Sequence, residues 1–307
     1  MKIISHTLDF ELHTKTAVAI GKFDGLHIGH RQLIREILAK KEEGFAACVL
    51  TFDPSPGVFF GISDGREILT IEEKRKLFAD MGVDILVEFP MTKETASMAP
   101  EIFIEEILVK RMHTGWIVAG KDLSFGDKGA GNEALLRGMA DQYGYEVKTI
   151  EKLKIEEREV SSSYVRSLIE TGNMEAVQRF LGVPFRVYGK VEHGRKLGRK
   201  LGMPTVNIVP PAGKILPPNG VYSSRVTVQG KKYESISNIG YKPTVSEEKQ
   251  LGIETYLYDF DRDIYGEEIE VELCAFKRPE MKFESIEQLK EQMCKDIEEG
   301  RTFHIQN

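Results

Sequence analysis

In the first half of the chain, compact apolar runs alternate with longer segments whose apolar positions recur every three or four residues. Residues 17–20, AVAI, contain no polar position, the pattern of a strand covered on both faces. Downstream, Leu33, Ile34, Ile37 and Leu38 fall on one face of a helix that begins near Gly29 and stops at Gly44. The alternation then repeats. Strands are predicted over 46–52, 85–89, 116–119 and 146–150, separated by a helix from Ile71 to Gly82, one with Pro100 in its first turn, and one ending at Gly144. Glycine after a helix supplies a left-handed C-cap, and a strand directly behind it marks a crossover between parallel strands. The pattern predicts an open, doubly wound α/β sheet, whose ligands lie beyond the carboxyl ends of the strands.

Past a helix over 174–181 the texture changes, at about residues 182–185. Short strands over 185–191, 222–228, 253–258 and 269–274 predict an antiparallel barrel. One helix closes the chain, with Ser285 and Gln288 spaced as a capping box and Gly300 as its stop. The expected division is therefore residues 1–183 and 184–307, which suits a length of 307 residues better than a single core does.

Composition narrows the function classes. A hydrophobic fraction of 41% and a charged fraction of 29% are ordinary for a globular protein, and the apolar runs are too short to span a bilayer. The N-terminal residues lack the basic-then-apolar order of a signal peptide, which points to a cytoplasmic protein. Cys48, Cys274 and Cys294 are odd in number and far apart, which argues against a disulfide framework or zinc site. A net charge of −6 disfavours nucleic acid as a partner and leaves room for small anions held by local basic patches. Nothing in the pattern fixes the oligomeric state.

The first candidate chemistry lies in residues 16–30, TAVAIGKFDGLHIGH, where an apolar strand turns into a helix start. Unpaired N–H groups and the positive end of the macrodipole favour a phosphate there. Gly25 and Gly29 permit close backbone approach, and His27 and His30 share a face from which both imidazoles can donate to phosphate oxygens. The other reading is a buried or metal-binding histidine pair, but no H-E-x-x-H context or cysteine cluster accompanies it.

The second lies in residues 193–208, HGRKLGRKLGMPTVNI. Arg195, Lys196, Arg199 and Lys200 supply charge, and Gly198 and Gly202 allow tight curvature, so the loop can cradle a phosphate. Thr205 and Asn207, two apart in a strand, offer hard oxygens to Mg²⁺ from one face. A solvated basic loop leading into an ordinary strand fits the same pattern. Glu254, inside the strand-like run GIETYLYDF, is either a solvent-facing glutamate or a base for an alcohol undergoing phosphorylation. Tyr188, Tyr222 and Phe283 are either stacking surfaces for a planar ligand or barrel core.

Together these segments resemble, over essentially the whole chain, the bacterial bifunctional riboflavin kinase/FAD synthetases. GKFDGLHIGH is similar to that family's G-x-F-D-G-x-H-x-G-H, GKDLSFG at 120–126 to its second nucleotide-binding segment, and VSSSYVRSLI at 160–169 to its S-S-T-x-I-R motif. LGMPTVN resembles G-x-P-T-A-N, NIGYKPTV resembles N-I-G-x-x-P-T-F, and IETYLYDF and KRPEMKF also fit. The resemblance implies a Rossmann-like nucleotidylyltransferase domain followed by a small flavokinase-like antiparallel barrel with a C-terminal helix. It implies two ATP-dependent steps, riboflavin to FMN and FMN to FAD, with Mg²⁺ as cofactor. In the first half it assigns Gly21, Phe23, Asp24, Gly29, Asp122, Ser162, Ser163 and Arg166 to ATP, beside catalytic His27 and His30. In the second it assigns Gly194, Arg195, Lys196, Gly198, Lys200, Gly202, Pro204 and Asn238 to ATP, Thr205 and Asn207 to magnesium and nucleotide, and Glu254 to the base.

The chain departs from the family pattern at Ser55, Leu123 and Ser124 in the first half, and at Val206 and Val245 in the second. Those in the first half bear on adenylylation, leaving a member with one impaired half, or a flavin-binding regulatory protein, as alternatives. Another nucleotidylyltransferase with the same first-half motif is a further alternative, and it leaves residues 184–307 unexplained.

Overall fold

The computed structural model describes residues 1–194, 198, 201–243 and 249–306. Arg195, Lys196, Arg199, Lys200 and Val245 lie outside the described residues. The chain forms two compact units, Met1–Ser162 and Ser163–Asn307.

In the first unit, β1 (Lys2–Ser5), β2 (Thr16–Ile20), β3 (Ala46–Asp53), β4 (Ile85–Pro90), β5 (Thr114–Gly120) and β6 (Glu146–Ile150) form a sheet in the order β1-β4-β3-β2-β5-β6. Every pairing in it is parallel, and the order reverses beside β2, as a doubly wound sheet requires. Side-chain alternation separates two cores. Ala17, Ala19, Ala47 and Val49 face one layer with Leu33, Ile34 and Ile37 of the helix Ile28–Ala39, while Val18, Ile20, Cys48 and Leu50 face the other with Phe103, Ile104 and Ile107. Gly44, Gly82 and Gly144 all take positive φ just after helical segments. The segment opened by Pro100 becomes a π-helix over Phe103–Arg111. β1 lies outside the sequence reading because its four residues, at a sheet edge with an exposed start, carry almost no burial signal. The hairpin β7 (Lys154–Ile155) and β8 (Arg158–Glu159) follows.

In the second unit, β9 (Phe185–Glu192), β10 (Val206–Ile208), β11 (Gly220–Val228), β12 (Lys231–Pro243), β13 (Lys249–Leu257) and β14 (Glu268–Pro279) close into a barrel in the order β10-β13-β12-β11-β14-β9. The neighbours are antiparallel throughout. The sequence pattern does not mark β12, because serines stand among its buried positions, Ser235 and Ser237 beside Ile236 and Ile239. Ser235 and Ser237 are each 2.8 Å from Ser224, and Ser237 is 2.7 Å from Thr255, so the hydroxyls satisfy one another where apolar residues would stand. The helix Met174–Leu181 packs on β14 and β9.

One expectation needs correction: Gly300 does not stop the last helix, which runs over Ile286–Gln306. Gly300 is instead a contact position, since a Cβ there would lie only 2.3 Å from the Tyr258 hydroxyl. At the helix start, Ser285 Oγ accepts from Gln288 N (3.2 Å), but the Gln288 side chain accepts from Glu284 N rather than closing the box on Ser285.

Candidate active sites

In the first unit, β2 ends at Ile20 and the chain turns through Phe23, Gly25 and Leu26, all at positive φ, into the helix Ile28–Ala39. Phe23 is fully buried, its ring 5.5 Å from Phe78 and 5.2 Å from His30, so its side chain is a plug beneath the histidines. Gly21 N donates to Leu50 O, and Asp24 Oδ1 accepts from Ile68 N (2.8 Å) while its carbonyl accepts from Ser162 Oγ (2.7 Å). Asp24 and Ser162 thereby hold the loop. Ser163 and Arg166, on the helix Ser162–Glu170, belong to the second unit.

His27 is the N-cap: its Nδ1 accepts the His30 backbone N–H at 3.2 Å. That bond keeps Nδ1 unprotonated, which places the proton of the neutral ring on Nε2 as a donor. The two imidazoles stack at 3.6 Å with planes 13° apart, and Gly29 sits against the His27 ring. Burial, opposed only in part by a backbone hydrogen bond and the Asp122 carboxylate, lowers the His27 pKa to about 4. Burial and then the His27 neighbour push His30 well below its usual value. The pair is therefore neutral near pH 7 and carries N–H dipoles in place of charge. Asp122 stands at the carboxyl end of β5 with its carboxylate 3.2 Å from Lys152.

These shifts carry a pH signature. The unfolded chain protonates both rings near pH 6.5, whereas folded His27 protonates only near pH 4. Its contribution to stability is thus complete above pH 6.5 and falls as the pH drops toward about 4. In a histidine NMR titration, the ring signals of His27 and His30 are expected to stay unshifted between about pH 5.5 and 7.5. A His27 or His30 signal with a midpoint near 6.5 would contradict the buried, neutral pair.

In the barrel, β10, β13 and β12 lie side by side, with Asn207 and Asn238 both in register with Glu254. The three side chains form one row on one face. Thr205, just before β10, donates its hydroxyl to Glu254 Oε1 at 2.6 Å. A Cβ on Gly194 would come within 2.5 Å of Asn207 Nδ2, so only glycine lets the chain pass over that amide. Gly198 accepts backbone bonds from Leu201 and Met203, with Gly202 in the turn at positive φ.

Two cavities flank this row. One of about 280 Å³ is lined by Thr205, Asn238, Glu254, Tyr256, Arg278 and Phe283, with one face of the C-terminal helix opposite. The other, about 270 Å³, is lined by Gly194, Pro204, Thr205, Asn207, Phe260 and Tyr265 among others. Thr205 borders both. Of the candidate stacking residues, Tyr222 is buried barrel core, Tyr188 is tied up with Glu270 and Arg186, and Phe283 reaches the first cavity.

Comparison with known proteins agrees with this layout. The FAD synthetase family model matches residues 9–164, and the riboflavin kinase family model matches residues 181–304. The protein named bifunctional riboflavin kinase/FMN adenylyltransferase in Listeria monocytogenes is 37% identical over 291 residues, covering 93% of this chain and 91% of that protein. The protein of that name in Bacillus subtilis is 34% identical over 302 residues, covering 96% and 94%. This chain belongs to the bifunctional riboflavin kinase/FMN adenylyltransferase family.

Like its family, the chain carries both an FAD synthetase and a riboflavin kinase domain, and it uses ATP. A crystal structure described as a macrolide-efflux protein from Streptococcus pneumoniae also aligns over 97% of this chain and 98% of that one, at 30% identity and a TM-score of 0.85. Among the described residues of this family member, no helix is long and apolar enough to cross a membrane. Sequence reasoning missed Tyr256, Arg278 and Asp296 of the first cavity, since the segments that bring them together are separated by whole strands.

Proposed function

We propose that the second unit phosphorylates riboflavin with the acceptor in the cavity that contains Glu254 and ATP in the cavity that contains Asn207. The observation that carries this reading is Thr205, which lines both cavities and touches Glu254, so that among the described residues the two cavities meet at the proposed base. Glu254 accepts the proton of the terminal ribityl hydroxyl as that oxygen bonds to the γ-phosphorus and the bond to ADP breaks. Thr205 occupies one lone pair of Glu254 Oε1, and the carboxylate keeps further acceptor capacity for the substrate hydroxyl. Thr205 Oγ1 and Asn207 Oδ1 are hard oxygens, few in number and beside the phosphate path, which fits Mg²⁺. When bound, Mg²⁺ neutralises phosphate charge. Gly194 and Pro204 line the nucleotide cavity, whereas Gly198 and Asn238, which the family motifs give to ATP, line the Glu254 cavity, and Gly202 shapes the turn between Gly198 and Pro204. Arg195, Lys196 and Lys200 are proposed phosphate partners on their motif alone.

We infer that the first half, residues 1–183, adenylylates the FMN so formed, and that residues 184–307 form the kinase half. The FMN phosphate is already an anion, so its attack on the α-phosphorus needs no protein base, and pyrophosphate leaves with its bonding electrons. The Nε2–H of His27, together with His30, donates to the phosphate oxygens as charge develops. The motif residues Gly21, Phe23, Asp24, Gly29, Asp122, Ser162, Ser163 and Arg166 are proposed to position ATP.

Labelled ATP tests both steps at once. With label in the γ-phosphate, FMN and then FAD should carry it; with label in the α-phosphate, only FAD should. FMN free of γ-label would overturn the kinase reading, and FAD free of α-label would overturn the adenylylation reading.

A further inference from the structure

The C-terminal helix Ile286–Gln306 is attached to the barrel in two different ways. Its second half is pinned by packing and hydrogen bonds: Ile297 against Val221, Ile236 and Tyr258, the Tyr258 hydroxyl donating to Ile297 O (2.9 Å), and His304 Nε2 at 3.2 Å from Ser235 O. Its first half has an exposed Ile286 and supplies Leu289, Met293 and Asp296 to the wall of the Glu254 cavity. The spacing of those residues places them on one helix face.

Asp296 stands where the pinned half meets the wall. It is 8% exposed, and its carboxylate takes a bidentate pair from Arg278 of β14, Nε to Oδ1 at 2.8 Å and Nη2 to Oδ2 at 2.5 Å. Gln292, one turn earlier, donates to the same Oδ1 at 2.8 Å. Arg278 Nη1 donates to Pro279 O, at the start of the segment that carries Glu280, Met281 and Phe283 into the same cavity. One ion pair therefore joins the two walls that a change in cavity width would have to separate. The planar, two-bond geometry fixes angle as well as distance, which a single contact or a lysine cannot do.

We propose that the Arg278–Asp296 pair, braced by Gln292, is a positioning element that sets the shape of the acceptor cavity and hence the affinity for riboflavin, while leaving the nucleotide cavity unaffected. The proposal rests on the reading of the Glu254 cavity as the acceptor site. Neither Arg278 nor any residue of the C-terminal helix lines the other cavity.

The test uses the full chain and compares Asp296→Asn, Arg278→Lys and Met293→Trp with the parent. Asp296→Asn is expected to raise KM for riboflavin at least tenfold, with kcat within about threefold and KM for ATP within about twofold. Arg278→Lys, which keeps the charge but loses the fork, should show the same split, and it carries the test if Asp296→Asn fails to fold. A general loss of structure would instead lower kcat and the active fraction without separating the two substrates. Met293→Trp fills the cavity and should abolish riboflavin binding measured by flavin fluorescence. If Met293→Trp loses riboflavin while both clamp variants keep the parent's KM, the clamp proposal is overturned and the cavity assignment stands. If Met293→Trp binds riboflavin normally, the cavity assignment itself fails and the proposal goes with it.

Discussion

A Glu254→Gln variant is expected to phosphorylate riboflavin about 10²–10⁴-fold more slowly than the parent, while converting FMN to FAD at the parent's rate. The amide is nearly the same size as the carboxylate and can still accept the Thr205 hydroxyl, which donates at 2.6 Å to Oε1. What it loses is the ability to take a proton at the moment the ribityl oxygen bonds to phosphorus. The loss should therefore fall on kcat, with KM for both substrates little changed. A rate within threefold of the parent, measured as FMN formed per unit time, would remove Glu254 from the role of base and leave it as a structural member of the Asn207–Glu254–Asn238 row.

The second large effect is expected in the other half. His30→Ala should lower FAD formation from FMN by about 10²–10³-fold in kcat and leave FMN formation from riboflavin intact. For His27 the capping role must be kept apart from the chemical one, because its Nδ1 holds the backbone of His30. His27→Asn retains a good N-cap acceptor but withdraws the imidazole Nε2–H. It should keep the thermal stability of the parent and still lose FAD formation by a similar factor. A raised KM for ATP with unchanged kcat in either variant would show that the histidines bind the ground state and do not favour the transition state.

Much of this arrangement was legible in the sequence because the signals are contiguous. β2 and β3 are buried on both faces, so their apolar runs stand out, and the turn from β2 into the helix Ile28–Ala39 puts His27 and His30 within one motif. Thr205 and Asn207 were legible as oxygen-bearing residues two apart in a strand, Glu254 took its role only from the family resemblance, and the barrel places the three together. β12 was hidden because hydroxyl pairs stand at two of its buried positions, Ser235 and Ser237, and break the apolar pattern that Ile236 and Ile239 would otherwise carry. The Glu254 cavity was hidden for a different reason: its walls come from β11, β12, β13, β14 and the last helix, and no single stretch carries its pattern. Gly300 misled because a glycine at a close helix–barrel contact looks the same in sequence as one that ends a helix.

The departures at Ser55, Leu123 and Ser124 sit in the adenylylating half. Leu123 is packed against the sheet core beside buried Phe125, so an apolar side chain there keeps the layer filled. Ser55 precedes the short helix Pro56–Phe59 without making a side-chain cap bond, and nothing in the structure explains its presence.

The central claim is that one chain performs both steps in sequence, each in its own half. Its most direct test is a time course of the full chain with ATP and Mg²⁺, started from riboflavin in one reaction and from FMN in another, with the flavins separated chromatographically. The expected result is FMN rising first and FAD following in the riboflavin reaction, and FAD forming without a lag in the FMN reaction. Riboflavin left unconverted, or FMN accumulating in both reactions with no FAD, would contradict the claim.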